Sequence, residues 1–398
     1  MPLLAQVGYG TGNKLELGIK ARAVIGAIMS PRDETGDHLK RRLSDLRRLS
    51  GSSIRMFDPQ FYVSTIGGAR AGHLTEYPYF SNATLLSRMD FAPRQVRTYV
   101  KDCLNYQRGL EVSHLVSPTV MVEDLTDMWS QIALNLAEES LDHWSALKSP
   151  HPLLLSIVVS ENALRNDDEV RRYADALSAL DAPGFYVVVR RPQGCPPAID
   201  AEPMSNLMYV VYVLSEINEY WVACGYSDWL GLLLQAAGAD CFATGWFQNL
   251  RQFSVERFMP AKGGRRPRKR YSSAPLLSSI LIQPELQGAS MVGLIDDVLS
   301  GTKHDAILRD DPAGREALWT DEVSCLHHWE TLTKLSRVLD AKKNVPAKLD
   351  QMLMLIRQAE SRFRILSQQG VEFDPTTTGN HLAAWAGAIS SFRASIGI

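Results

Sequence analysis

Short apolar segments alternate with longer amphipathic segments along this chain, and this alternation limits its fold more than any other feature. We count eight apolar segments of strand length, most of them followed by a segment with the three- and four-residue apolar spacing of a helix. The eight segments are residues 23–30, 53–58, 113–124, 152–160, 185–191, 220–225, 240–245 and 275–282. Alternating strands and helices build parallel sheets, and eight such units match a closed (β/α)₈ barrel. An open doubly wound sheet is the alternative architecture.

Beyond residue 300 the pattern becomes wholly helical. Apolar side chains recur at three- and four-residue steps in residues 320–341 and 348–366, and residues 381–397 predict a third helix. The sequence therefore predicts an α/β protein with a TIM-like barrel over residues 1–300 and a helical extension over residues 301–398. The extension could pack on the barrel or provide an interface for a protein partner.

The composition excludes several classes of protein. Lys and Arg total 42 against 44 Asp and Glu, so the net charge of -2 excludes a uniformly basic nucleic-acid binder. The first residues lack a secretory signal and no apolar run is long enough to span a membrane, so we expect a cytoplasmic protein without a membrane partner.

The five cysteines form no CxxC pair, and adjacent His327 and His328 are expected on a helix surface rather than as ligands of one metal ion. We therefore predict no metal and no cofactor.

Polar residues directly after the apolar segments are the candidates for chemistry, because a barrel carries its active site at the carboxyl ends of its strands. The candidate catalytic residues are Asp58, Asp228 and Glu161, and the candidate substrate-binding residues are Gln60, Arg190, Tyr226 and Trp246. Carboxylates beside arginine and aromatic side chains could bind a polar planar ligand and perform acid–base or nucleophilic chemistry. Alternatively, each carboxylate only caps the helix that follows it. Asp58 is the stronger candidate because Pro59 follows it.

One segment concentrates positive charge. Six basic residues lie in it, namely Lys262, Arg265, Arg266, Arg268, Lys269 and Arg270. Glycine and proline residues keep the segment irregular, and it lies between the last two apolar segments, where barrels often bind phosphate. We therefore predict that it binds a nucleic-acid backbone and that Tyr271 could stack on a base. A solvated loop and a docking site for an acidic protein are the alternatives.

Residues 222–251 contain a strand that ends in Gly225, a short helix, and a strand that begins Gly-x-Asp-x-Phe. This order resembles the tRNA-guanine transglycosylase family of TIM barrels. The matching residues are Gly225, Asp228, Leu230, Gly238, Asp240 and Phe242, and Asp58 would match the acid of that family's Asp-Ser-Gly-Gly-Phe-Gln motif. The family's nucleophilic aspartate falls on Ala243, whose methyl group cannot form a glycosyl bond, and the zinc ligands are missing. The resemblance thus implies either lost transglycosylation or another catalytic carboxylate.

Two functions remain open at this point. The first is a barrel that acts on or binds a nucleotide or nucleic acid, with chemistry related to base modification or glycosyl transfer. The second is a non-catalytic barrel that serves as a scaffold subunit of a multiprotein complex. Strand-end carboxylates around an open pocket would favour the enzyme, whereas a mouth filled by large side chains would favour the scaffold.

Overall fold

The chain folds around a barrel of parallel strands. The structure is a computed structural model, and it describes residues 3–80, 85–192, 194, 197–260, 263 and 267–398. The barrel strands are β1 (Leu3–Gln6), β2 (Gly26–Met29), β3 (Ile54–Phe57), β4 (Leu115–Val116), β5 (Met121–Val122), β6 (Leu153–Ser160), β7 (Gly184–Arg190), β8 (Trp221–Gly225) and β9 (Cys241–Thr244). Because β4 and β5 both pair with β6, the nine strands occupy eight positions.

The barrel is nearly closed. Its neighbouring strands follow the order β3, β2, β1, β9, β8, β7, β6 and β4, and every pair is parallel. Between β3 and β4, the backbone N–H of Ser113 donates a hydrogen bond to the carbonyl oxygen of Arg55 at 2.8 Å. Adjacent strands with right-handed crossovers leave the carboxyl ends of all strands at one mouth. The predicted α/β fold class, a TIM-like barrel, is confirmed.

Two of the strand assignments from sequence were wrong. The first barrel strand is β1, which was not predicted as a strand, and residues 275–282 do not enter the barrel. Instead, β11 (Ser278–Leu281) pairs antiparallel with β10 (Arg270–Ser273) in a separate two-stranded sheet. The apolar run at 275–282 does form a strand, but an apolar run does not specify which strand it pairs with.

Twelve α-helices accompany the strands in the described part of the chain, besides short 3₁₀ and π turns. They are α1 (Lys14–Lys20), α2 (Gly36–Leu49), α3 (Pro93–Arg108), α4 (Met128–Leu147), α5 (Asp167–Ser178), α6 (Ala201–Tyr212), α7 (Gly231–Ala236), α8 (Gln248–Arg251), α9 (Gln287–Met291), α10 (Asp321–Asp340), α11 (Val345–Gln368) and α12 (His381–Ile396). The helices α10, α11 and α12 match the three helices predicted after residue 300. Among the described residues, no helix is both long enough and apolar enough to cross a bilayer.

The C-terminal helices pack directly on the barrel. Helix α10 contacts both α1 and α7, while α12 contacts α6. The Trp329 indole N–H on α10 donates to the carbonyl oxygen of Thr244 at 3.2 Å, so this helix is tied to the end of β9. Because α10 lies between α1 and α7, it occupies the place of an eighth outer helix. The boundary at residue 300 stays a prediction.

The sizes of the side chains inside the barrel determine which of them can extend toward its mouth. Strand registers place Ser156, Tyr186, Ala223 and Cys241 on neighbouring strands at one level. Gly225 lies above Ala223 on β8, and a Cβ at this glycine would overlap the ring of Tyr186. The small residues on β8 and β9 therefore leave room for the Tyr186 side chain to extend across the interior toward β3.

Candidate functional site

Asp58 lies at the end of β3 and is completely buried. Its Oδ1 accepts the backbone N–H of Gln60 at 3.0 Å, and its Oδ2 accepts the hydroxyl groups of Tyr62 at 3.0 Å and Tyr186 at 3.4 Å. Burial raises the pKa of Asp58 to about 6, although these hydrogen bonds and the charge of Arg257 oppose the rise. Asp58 can therefore exchange a proton near neutral pH.

A second set of hydrogen bonds connects the candidate residue Gln60 to the opposite side of the mouth. The Gln60 side-chain oxygen accepts from the hydroxyl of Ser30 at 3.1 Å, and its amide donates to the hydroxyl of Tyr226 at 3.3 Å. The Arg257 guanidinium donates to Tyr226 and to Ser30, and it forms an ion pair with Asp33. The structure thus brings the predicted residues Asp58, Gln60 and Tyr226 into one buried polar cluster.

Arg257 belongs to residues 253–258, which we call the mouth segment because they cross the carboxyl end of the barrel. At one end the carbonyl oxygen of Phe253 accepts the backbone N–H of Arg191, which follows β7. At the other end Arg257 reaches Ser30 and the loop after β2. The rings of Phe253 and Phe258 pack on Tyr62, with centroids 5.2 Å and 6.2 Å away. Large aromatic side chains therefore fill the mouth above Asp58.

Asp228 follows β8 and belongs to a different cluster. Its Oδ1 bonds to Nε2 of His328 at 2.7 Å and accepts the hydroxyl of Thr244, while Nδ1 of His328 bonds to the Ser272 hydroxyl at 2.7 Å. Burial alone would raise the pKa of Asp228, but His328, Arg251 and Thr244 together lower it. Asp228 and Asp58 share no hydrogen-bond partner among the described residues.

The adjacent histidines are interior residues, so the expectation of a helix surface was wrong. His327 and His328 are both fully buried between α10 and β10. The Nε2–H of His327 donates to the carbonyl oxygen of Ser272 at 2.8 Å, and its ring packs against the tilted ring of Tyr271 with centroids 4.4 Å apart. Burial lowers the pKa of His327 to about 4. The two side chains point in different directions because they occupy adjacent helix positions, and protein covers both of them.

An open cleft of about 290 Å³ lies beside the mouth segment. It is lined by Thr65, Ile66, Gly67, Met121, Glu123, Trp129, Arg190 and Val255. The predicted residue Arg190 donates through Nη1 to Glu123 at 2.9 Å and to Ser160 at 3.3 Å. Its Nε–H makes no hydrogen bond to any described residue. The half-buried ring of Trp129 lies 5.7 Å from the guanidinium of Arg88. The cleft thus combines the Trp129 indole with the guanidinium of Arg190.

The other two predicted site residues lie apart from this cleft. Glu161 begins a short 3₁₀ turn after β6, and burial raises its pKa while the charge of Arg191 opposes the rise. The Trp246 indole follows β9 and donates to the carbonyl oxygen of Tyr9 at 3.2 Å, with its ring against Trp329. Neither side chain lines the cleft.

The described part of the basic segment is bound to the protein itself. Arg268 forms an ion pair with Asp374, and the Lys269 ammonium donates to the carbonyl oxygen of Glu316 at 2.6 Å. Arg270 donates to Ser279 and Thr376. Lys262, Arg265 and Arg266 lie outside the described residues. Tyr271 is buried with its hydroxyl on Asp305 at 2.9 Å, so the expectation that it could stack on a base was wrong.

Several residues that carry the resemblance to tRNA-guanine transglycosylases make contacts that stabilise the fold of this protein. The Asp240 carboxylate accepts the backbone N–H of Val222 at 2.8 Å, which joins β8 to the start of β9. Gly238 has a φ of 121°, a conformation that favours glycine. Phe242 packs so closely on Gly231 that a Cβ there would overlap its ring. These contacts explain three of the residues without any ligand.

Sequence reasoning did not identify Arg257, Tyr62 or His328 as members of these clusters. Tyr62 lies four residues after Asp58, where a 3₁₀ turn returns its hydroxyl to the carboxylate. Arg257 and His328 reach the mouth from residues distant in sequence, and neither belongs to a spaced motif. For Tyr186 there was a usable signal in the sequence, because the two-residue alternation of side chains along β7 indicates which of them point into the barrel.

Comparisons with known proteins are limited to overall shape. No family model and no curated protein matches this chain. Pyruvate carboxylase from Rhizobium etli, crystallised without acetyl coenzyme A, is 13% identical with a TM-score of 0.32, over 99% of this chain and 36% of that one. The carboxyl transferase domain of that enzyme with pyruvate and biocytin is 10% identical with a TM-score of 0.30, over 98% of this chain and 60% of that one. At these values the likeness assigns no activity to this chain.

Proposed function

We propose that the barrel binds a nucleotide in the cleft beside the mouth segment. The observation that supports this most directly is that Trp129 and Arg190 line one open cleft near the carboxyl ends of β5 and β7. An indole ring binds a nucleobase by stacking, which contributes about 1–3 kcal/mol per base. The Arg190 guanidinium, on a side chain that is 28% exposed, can donate to a phosphate oxygen, and the Glu123 carboxylate can accept an exocyclic amino group of the base.

The size of the cleft favours a mononucleotide. Its volume of about 290 Å³ is at the small end of the range for ligand sites, about 300–1,000 Å³. Met121, Ile66 and Val255 provide apolar walls beside the charged groups. A site with mostly apolar walls and a few placed polar groups is the usual composition of a small-molecule pocket.

A titration with the four ribonucleoside monophosphates tests this proposal. We expect at least one to bind, and we expect Arg190→Gln to weaken its binding by about 10- to 100-fold, because a hydrogen bond to a charged group contributes about 1.5–3 kcal/mol. Isothermal titration calorimetry at constant pH and salt measures the dissociation constants.

The matched nucleoside and a second arginine variant provide the controls. The nucleoside has no phosphate, so Arg190→Gln should leave its affinity almost unchanged, whereas Trp129→Leu should weaken both ligands. Arg172→Gln changes the same charge on the exposed side of α5 and should have no effect. Absence of binding for all four nucleotides would refute a mononucleotide site in the cleft.

Catalysis is a further part of the proposal. Base modification or glycosyl transfer needs a carboxylate near the ligand. Glycosyl transfer would be a transferase reaction like that of tRNA-guanine transglycosylases. Asp58, with a pKa of about 6, has a suitable value for proton transfer at neutral pH. The mouth segment would have to move before Asp58 could contact a ligand in the cleft.

We also propose a cytoplasmic location, in agreement with the expectation from the sequence.

A scaffold subunit without catalytic activity is the second candidate function. Two observations favour it, namely the aromatic side chains that fill the mouth above Asp58 and the methyl side chain of Ala243. In this case the C-terminal helices or the basic segment would dock a protein partner. Nucleotide binding that is weakened by Arg190→Gln would contradict a purely structural role for the cleft.

A further inference from the structure

Helices α2 and α3 carry an excess of positive charge, much of it exposed. Together they hold nine basic and three acidic residues, a net charge of +6, while the whole chain has a net charge of -2. They follow the neighbouring strands β2 and β3, so they lie side by side on the outside of the barrel. Arg47 on α2 is 3.5 Å from Glu111, just beyond the end of α3. We call the exposed basic side chains of these two helices the basic face.

The basic side chains of this face repeat at a fixed spacing. On α3, Arg94, Lys101 and Arg108 are seven residues apart, which is two helical turns or about 10 Å. On α2, Lys40 and Arg47 have the same separation, as do Arg41 and Arg48. The repeated spacing keeps the three cations of α3 in one stripe about 20 Å long, and it places the four cations of α2 in two rows.

Five of these cations have no ionic partner among the described residues: Lys40, Arg41, Arg94, Lys101 and Arg108. The other cations of the two helices are paired, for example Arg97 with Glu139 and Arg48 with Asp45. All five are exposed. Their charges are therefore available to an anionic partner without loss of an existing ion pair.

We propose that this basic face binds the phosphate backbone of a double-stranded nucleic acid. The side chains between the cations are Ser44, Gln95, Thr98 and Asn105. Arginine and lysine together with Ser, Thr, Asn and Gln are the side chains that contact phosphate and sugar in protein–DNA complexes. A stripe of about 20 Å spans about six phosphates along one strand of a duplex.

The composition of the face favours a duplex over two other anionic partners. Leucine and valine side chains such as Leu43 on α2 and Val100 on α3 are buried against the barrel, and Leu49, Tyr99 and Tyr106 are half-buried, so neither helix has a fully exposed leucine, valine or tyrosine side chain. Membrane-surface helices insert apolar side chains into the lipid, and proteins that bind single strands stack bases on aromatic rings. This inference is independent of the nucleotide cleft, which lies at the mouth of the barrel.

Binding of a fluorescent 20-base-pair duplex, as DNA and as RNA, tests the inference through its dependence on salt. Each phosphate contact contributes about 0.9 to the log–log slope, so five cations should give a slope of about -4 to -5. The triple variant Arg94→Gln, Lys101→Gln, Arg108→Gln should reduce the magnitude of the slope by about 3. Glutamine is a good helix former, so α3 should persist, and a melting curve of the variant verifies this.

Three further measurements make the outcome decisive. The matched triple variant Lys343→Gln, Arg357→Gln, Arg364→Gln removes the same charge near α11 and should leave the slope unchanged. Arg190→Gln should also leave duplex binding unchanged, which separates this result from failure of the cleft proposal. The inference is overturned if the wild-type protein shows no salt-dependent duplex binding, or if both triple variants lose binding equally. Binding to phosphatidylserine vesicles without binding to duplex would also overturn it.

Discussion

Replacement of Arg257 by methionine is expected to lower the free energy of unfolding by about 3–5 kcal/mol. The Arg257 side chain is only 3% exposed and forms an ion pair with Asp33, which is 7% exposed. Burial alone would lower the pKa of Arg257, but Tyr226 and Asp33 hold it above its ordinary value, so the group is charged. Methionine preserves much of the volume, but it removes one of the two cations of the buried Asp33 carboxylate, which keeps Arg32 at 3.0 Å, and it removes the donors to Tyr226 and Ser30. Urea unfolding followed by circular dichroism measures the difference.

Two companion variants separate the lost ion pair from lost packing. If the weakened pairing of the Asp33 carboxylate causes the loss, the double variant Arg257→Met, Asp33→Asn should recover part of it, because the buried negative charge that Arg257 neutralised is removed as well. Arg165→Met breaks an exposed ion pair with Asp200 and should change the free energy of unfolding by less than about 1 kcal/mol. A cost below about 1 kcal/mol for Arg257→Met would show that the mouth segment contributes little to folding.

The strands of the barrel could be predicted where apolar residues form long runs. β6 and β7 are buried on both faces and have eight and seven residues, so their sequences are almost continuously apolar. β1 has only four residues, and its inward Gln6 places a polar side chain at the end of a short apolar run. In the barrel, neighbours on both sides stabilise β1 through hydrogen bonds that no local pattern specifies.

The sequence predicted which residues lie at the strand ends, and this was enough to find part of the candidate site. Asp58, Gln60 and Tyr226 do lie in one cluster, because the carboxyl ends of all the strands of a parallel barrel meet at the same mouth. The position of a residue at a strand end does not say which partner its side chain will reach. Asp228 turns toward His328 on α10, 100 residues later in the sequence. Such contacts depend on how the C-terminal helices pack, which the sequence pattern did not contain.

Substitution of Asp58 by asparagine is expected to remove a pH-dependent contribution of about 3 kcal/mol to the free energy of unfolding. The folded-state pKa of Asp58 is about 6, and its ordinary value is 3.8. Between these values the folded protein retains a proton that the unfolded chain has released. The stabilising contribution of the protonated carboxyl is therefore fully present below pH 3.8, and it is lost as the pH rises through about 6. The difference between the two pKa values corresponds to about 3 kcal/mol.

The measurement is the difference in unfolding free energy between the wild-type protein and Asp58→Asn from pH 4 to pH 8. The asparagine oxygen can still accept the Gln60 N–H, and its amide N–H can donate to the Tyr62 hydroxyl oxygen, so the variant should fold and should become relatively more stable as the pH rises. Asp124→Asn is the matched control, because hydrogen bonds from Thr126 lower the pKa of this exposed carboxyl and give the opposite sign. A difference curve for Asp58→Asn that stays flat from pH 4 to pH 7 would mean that Asp58 titrates as an ordinary carboxyl. In that event Asp58 would lose the property that makes it a candidate for proton transfer near neutral pH.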